Sequence, residues 1–136
     1  MIGFFSKADV QREKPESRTI PRCGACGLHS QCESPKIPVQ GDGSRGVMIV
    51  GHSPGESGDN QNLHFAGESG EYLRDTLKRL GFKLTRDTWQ TNAFICRNKN
   101  MVPDAKAIAY CRPNLTNAIK EHKPNVVVTL GHAPRV

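Results

Sequence analysis

At 136 residues the chain has room for one domain around one core. Its formal charge of +6, from Lys and Arg spread over many segments, suits a polyanionic partner, and equally a plain soluble surface with some excess base. No apolar stretch approaches the length of a membrane span, and the longest, Val126 to Leu130, is broken by Thr129, so no membrane partner is expected.

The first 21 residues are rich in charge and Pro and hold no signal-peptide core, which reads as a flexible basic leader (1–21) before a single domain (22–136) in a cytoplasmic setting. Cysteine gives the next signal. Cys23-Gly24-Ala25-Cys26 is a Cys-x-x-Cys turn, Cys32 follows soon after, and Cys96 and Cys111 come much later. A Cys-x-x-Cys pair with two further cysteines suggests a four-thiolate metal or cluster site closed by the fold. Disulfides compete, but nothing indicates secretion and five cysteines do not pair fully. Zinc and iron–sulfur both stay open on spacing alone.

Residues 33–46 read as loop, with a short extended piece at Ile37-Pro38-Val39. Val47-Met48-Ile49-Val50 is a short β-branched run without alternation, the mark of a strand buried on both faces. It ends at Gly51 and turns through Ser53-Pro54-Gly55. In open α/β sheets ligands bind outside the carboxyl ends of the strands, so the polar loop from Gly51 to Phe65 is expected to line a cleft. A helix follows over residues 71–80, with Ser69 as its cap, Gly81 as its stop, and Leu73, Leu77 and Leu80 as a core-facing stripe.

Thr88 to Ile95 reads as a second strand. Asn92 within it is out of character, because Asn is depleted in strands and costs free energy when buried unpaired. Either backbone groups satisfy it at the strand end, or its amide faces the cleft as a donor–acceptor pair. After Cys96 and a polar loop, Pro103 and Asp104 start a helix whose apolar face is Ala105, Ile108, Ala109, Leu115 and Ile119; Pro113 is expected to kink or restart it near Cys111, and Pro124 to stop it. Asn125 to Gly131 is a third buried strand. Three strands alternating with helices predict a parallel α/β sheet with right-handed crossovers. No helix remains to cover the last strand, so the chain looks like the front of a larger domain.

Together these residues resemble the uracil-DNA glycosylase superfamily, in particular its iron–sulfur branch, family 4, which includes domains related to a region of phage DNA polymerases. The resemblance runs from about Cys23 to Gly131 and rests on Gly51-His52-Ser53-Pro54-Gly55 after strand one, His64-Phe65-Ala66-Gly67-Glu68-Ser69-Gly70, Thr91-Asn92 on strand two, Ile95-Cys96-Arg97-Asn98, Cys111, and the strand Val128 to Gly131. It implies a three-layer α/β/α fold with a central parallel sheet, of which the last strand and helices lie outside this chain. It also implies hydrolysis of the bond joining uracil to deoxyribose in DNA. By the resemblance, Cys23, Cys26, Cys96 and Cys111 ligate a [4Fe-4S] cluster, with zinc as the alternative and Cys32 a spare. Phe65 stacks on the flipped uracil, Asn92 reads its polar edge, and backbone amides at Gly51 hold its other carbonyl. His52 and Ser53 join Asn92 as catalytic candidates.

The departures carry weight. His52 stands where the family has Glu, Ser53 where it has Ala or Gly, and His64 where it has Pro. A neutral imidazole can still act as a base near neutral pH, but the same change fits a site that has lost its chemistry. The family's His-containing second motif would lie beyond Val136. The alternative is therefore a catalytically impaired DNA-binding module of the same fold in phage-type replication or repair, partnered by a replication polymerase or by the missing C-terminal segment. A nucleotide-binding α/β protein is a third reading, weakened because GHSPGESG has neither Walker nor Rossmann glycine spacing.

Overall fold

The computed structural model describes residues 23–99, 105–131 and 134 of the protein. The leader, the loop from Asn100 to Val102 and the helix start at Pro103-Asp104 lie outside the described residues.

Strand β1 (Val47–Gly51) is central, flanked by β2 (Thr88–Asn92) and β3 (Val126–Thr129) in the order β2-β1-β3, all parallel. That position explains its unbroken apolar run: Met48, Ile49 and Val50 are buried because a strand of a covered parallel sheet has no wet face. The register sets Val50 beside Thr91 and Gly51 beside Asn92. The carboxyl ends of β1 and β2 thus finish level. The predicted α/β class and parallel sheet are present.

β2 is shorter than the sequence reading had it. Pairing with the β1 side runs on through the Ala93 and Phe94 amides, which donate to the Gly51 and His52 carbonyls at 2.9 Å each, and the chain then bends toward Cys96. The outer edge of β2 is closed by the extended 37–40 segment. Gln40 and Gln90 exchange antiparallel hydrogen bonds, and the Ile37 amide donates to the Ile95 carbonyl. β3 is not the buried strand expected. Val126 is 52% exposed, and Val127 and Val128 are exposed too, because β3 is the sheet edge and no described element lies over it.

Among the described residues four helices connect the strands: α1 (Glu56–Gln61), α2 (Glu68–Arg79), α3 (Leu84–Asp87) and α4 (Ala105–His122). α1 falls in the stretch expected to be loop, and α3 in a stretch for which the sequence gives no expectation; both are too short for a hydrophobic period to show. α2 begins a turn earlier than predicted, with Gly67 as its N-cap residue and Ser69 inside it. Its stop is as predicted. Gly81 has φ +81°, its amide donates to Lys78 and that of Phe82 to Leu77, the paired bonds of a Schellman cap. The leucine stripe is not core, however. Leu73 and Leu77 are half-buried and Leu80 is 68% exposed.

α4 is one continuous helix through Pro113, without the predicted restart. Its buried residues are Ala107, Ile108, Cys111 and Ala118; Ala105 and Ala109 face outward. It ends at Lys123, in the left-handed region just before Pro124. α4 serves two apolar clusters. Met48, Val50 and Ala118 form one, with Leu115 and Ile119 against them; Ala93, Phe94, Ala107, Ile108 and Cys111 form the other, against which Cys26 and Leu28 pack. The second cluster ties the cysteine turn to the end of β2.

Candidate uracil-reading pocket and cysteine cluster

The level ends of β1 and β2 bring Gly51 and Asn92 together, and the 64–67 turn lays Phe65 over them. A Cβ placed on Gly51 would meet Asn92 Oδ1 and, at 2.8 Å, the Phe65 ring. Only a residue without a side chain allows that approach. Asn92 is 3% exposed, and its Nδ2 lies 2.8 Å from His64 Nδ1. It is therefore paired with a side chain, and not with the strand-end backbone.

Phe65 has φ +54°, a conformation that costs free energy for an aromatic residue and persists only where neighbours enforce it. α2 supplies the enforcement. Arg74 donates to the Phe65 carbonyl at 2.7 Å, and that carbonyl packs on Gly70, where a Cβ would overlap it.

His64 is 3% exposed. Its Nε2 lies 3.0 Å from the Pro38 carbonyl and its amide donates to Gln40 Oε1 at 2.8 Å. Burial pushes its pKa down to about 4, against smaller opposing effects of the Pro38 and Ile37 backbone, so the ring is neutral at ordinary pH. His52 follows Gly51 directly, with its ring edge-on to Phe94 at 5.5 Å between centroids. Its Nε2 is buried with no hydrogen-bond partner, and burial lowers its pKa as well. An imidazole nitrogen without a partner thus stands at the mouth of β1. Ser53 is the next residue, half-buried.

The cysteines assemble nearby. Cys23 and Cys26 sit on the turn before a single 3₁₀ turn (Leu28–Ser30), Cys96 just after β2, and Cys111 inside α4. All five thiols are free. Burial pushes the Cys96 thiol up to about 12, opposed by a hydrogen bond donated by the Lys36 amide, with Cys32, Cys111 and Cys26 raising it further. Cys111 is pushed up to about 11 by burial, with Cys26 and Cys23 adding to it. No three His, Cys, Asp or Glu side chains among the described residues stand in a metal-holding group. The thiols are neighbours without a closed cage. Their chemistry nonetheless fits a soft metal or cluster: buried and half-buried thiols outside any disulfide converge from three segments. Cys32, expected as a spare, is a neighbour of Cys96.

Residues 38–135 match the sequence model of the uracil DNA glycosylase superfamily. The chain belongs to that superfamily. It is 35% identical to a type-4 uracil-DNA glycosylase of Pyrobaculum aerophilum over 82% of its own length and 57% of that protein. It is 30% identical to the type-4 enzyme of Archaeoglobus fulgidus, over 84% of this chain and 57% of that protein, and 28% identical to that of Saccharolobus solfataricus, over 82% and 52%. The chain thus spans about half the length of these relatives.

Of the candidate site residues in this superfamily member, Gly51, Phe65 and Asn92 are brought together, while His52, next to Gly51 in the chain, turns its ring to Phe94. Arg74 and Gly70, which hold Phe65, went unread. So did the role of Asp59, which is 1% exposed and accepts the Glu33 and Ser34 amides at 3.2 and 2.9 Å, tying the cysteine segment to α1. Its bare charge in a polar loop gave no sign of burial. No helix of the described residues is long and apolar enough to cross a membrane.

Proposed function

We propose that the protein is a uracil-DNA glycosylase, hydrolysing the bond between uracil N1 and deoxyribose C1′ in DNA. The observation that carries this reading is the buried Asn92 amide beside Gly51 and the Phe65 ring. A flipped base leaves the stack at a cost of a few kcal/mol. Phe65 stacks on it, and Asn92 reads its N3–H and O4. As the N1–C1′ bond breaks, its electron pair passes to the uracil ring. Backbone amides near Gly51 stabilise the charge that develops there. A water oxygen bonds to C1′ and gives its proton to His52 Nε2, which has no hydrogen-bond partner of its own, with Ser53 next in the chain to hold the water. Basic side chains grip the phosphates, a salt-sensitive contribution.

Cys23, Cys26, Cys96 and Cys111 hold a [4Fe-4S] cluster in this reading, with zinc as the alternative. The cluster supplies folding energy by pinning the cysteine turn to the end of β2 and to α4.

The test is release of uracil from a single-stranded oligonucleotide, with Asn92→Ala lowering the rate on the order of a hundredfold or more. A second reading is DNA binding without hydrolysis, favoured by the imidazole at position 52 where the family pattern carries a carboxylate. It predicts salt-sensitive, uracil-selective binding with the oligonucleotide left intact.

A further inference from the structure

The hydrogen bonds around His64 form a directed chain, and its direction follows from chemistry. A carbonyl oxygen only accepts, so His64 Nε2, 3.0 Å from the Pro38 carbonyl, must carry the ring proton. A neutral imidazole has one N–H, which leaves Nδ1 as a lone pair. The group 2.8 Å from that lone pair must donate, and only the Nδ2 end of the Asn92 amide can. Asn92 Oδ1 then lies on the side of Gly51 and Phe65, where the approach to the Gly51 Cα places it. Asn92 offers the pocket one acceptor and the second hydrogen of its amide.

We infer that His64 is a positioning residue that locks the Asn92 amide in the orientation that selects uracil over cytosine. The inference rests on the glycosylase reading and adds to it the origin of base selectivity in this chain. Uracil presents a donor at N3 and an acceptor at O4, which match Oδ1 and the free Nδ2 hydrogen. Cytosine presents an acceptor at N3 and a donor at N4, which match the same amide turned over. An unrestrained Asn turns over at little cost and reads either base. Here the turned amide would set Oδ1 against the Nδ1 lone pair. Moving the ring proton to Nδ1 would only shift the conflict to the Pro38 carbonyl. Asn92 and His64 are both buried, so water cannot relieve the clash between them. His64 occupies the place of a Pro in the family pattern, and a Pro side chain has no acceptor to offer.

The test combines two measurements on the full chain. Nitrogen NMR of histidine-labelled protein reads the His64 tautomer directly. The expected result is Nε2 protonated and Nδ1 bare between about pH 6 and 8, with the Nδ1 resonance moving in Asn92→Ala. Binding is then measured to two single-stranded oligonucleotides that differ only in one uracil or cytosine, both 2′-fluorinated at that sugar to resist cleavage. The wild-type protein is expected to prefer uracil. His64→Leu, which removes the acceptor but keeps the apolar bulk, is expected to shrink that preference on the order of tenfold, with weaker effect on an oligonucleotide bearing an abasic site. A protonated Nδ1, or an unchanged preference in His64→Leu, would overturn the lock. The tautomer measurement decides even where the variant folds poorly. Equal wild-type binding to the two bases with the Nε2–H tautomer in place would overturn the uracil reading itself, and base selection by His64 with it.

Discussion

The Arg74 guanidinium on α2 donates to the backbone carbonyl of Phe65 at 2.7 Å, and so holds that residue in a left-handed backbone conformation. A helix whose leucines are half-exposed thus matters less for its core contacts than for the residue it clamps. Removing the charged donor in Arg74→Met should lower stability by roughly 1.5–3 kcal/mol and weaken uracil-DNA binding more than nonspecific DNA binding. Gly70→Ala, which drives a Cβ into the same carbonyl, should do likewise. Thermal unfolding and paired binding assays check both; equal loss of specific and nonspecific binding would mean that only general packing was disturbed.

Gly51 lies beneath the Phe65 ring and beside the Asn92 amide. Gly51→Ala puts a methyl against the Phe65 ring and the Asn92 amide. The predicted outcome is a fold-stable protein, destabilised by about 1–3 kcal/mol, that has lost most of its uracil affinity. Chemical denaturation together with binding to a uracil oligonucleotide separates the two effects.

How far the pocket was legible in the sequence depended on what each residue's signal was. Asn92 was out of place for a strand, and a residue that breaks its local rule points to a site, while Gly51 stood at a strand's carboxyl end, where such sites form. Phe65 was found through its polar neighbours. Arg74 and Gly70 were invisible because they look like ordinary helix residues, and their role arises only where α2 crosses the 64–67 turn. The Leu73, Leu77 and Leu80 stripe was misread for the opposite reason. A helical period says that a face is apolar, but not that anything in the described chain covers it. β3 misled in the same way, since a run of valines does not report whether its sheet edge is occupied. The parallel pairing of the strands, by contrast, followed from alternation alone.

Stability should depend on pH through His64. Its pKa is about 4 when folded and 6.5 ordinarily, so the unfolded chain binds the proton more readily. Stability is therefore full above pH 6.5 and falls as the pH drops from 6.5 toward 4, by about 3 kcal/mol if this residue acted alone. Melting temperature against pH should show that decline in the wild type and a flatter curve in His64→Leu. Parallel curves would show that other groups dominate.

The cysteines make a separate prediction. Protein purified without air should be brown and carry about four iron and four sulfide per chain. Cys111→Ser should lose colour and melt lower, because the thiol sits inside α4 against the Cys26 turn. A colourless protein holding one zinc per chain would favour the alternative metal at the same thiols.

The most direct measurement of the central claim is uracil release from a single-stranded oligonucleotide by the cluster-loaded protein, run beside Asn92→Ala. The predicted result is free uracil and an abasic site from the wild type, and a rate lower on the order of a hundredfold or more from the variant. An intact oligonucleotide after long incubation, with no preference for uracil over cytosine in binding, would contradict it.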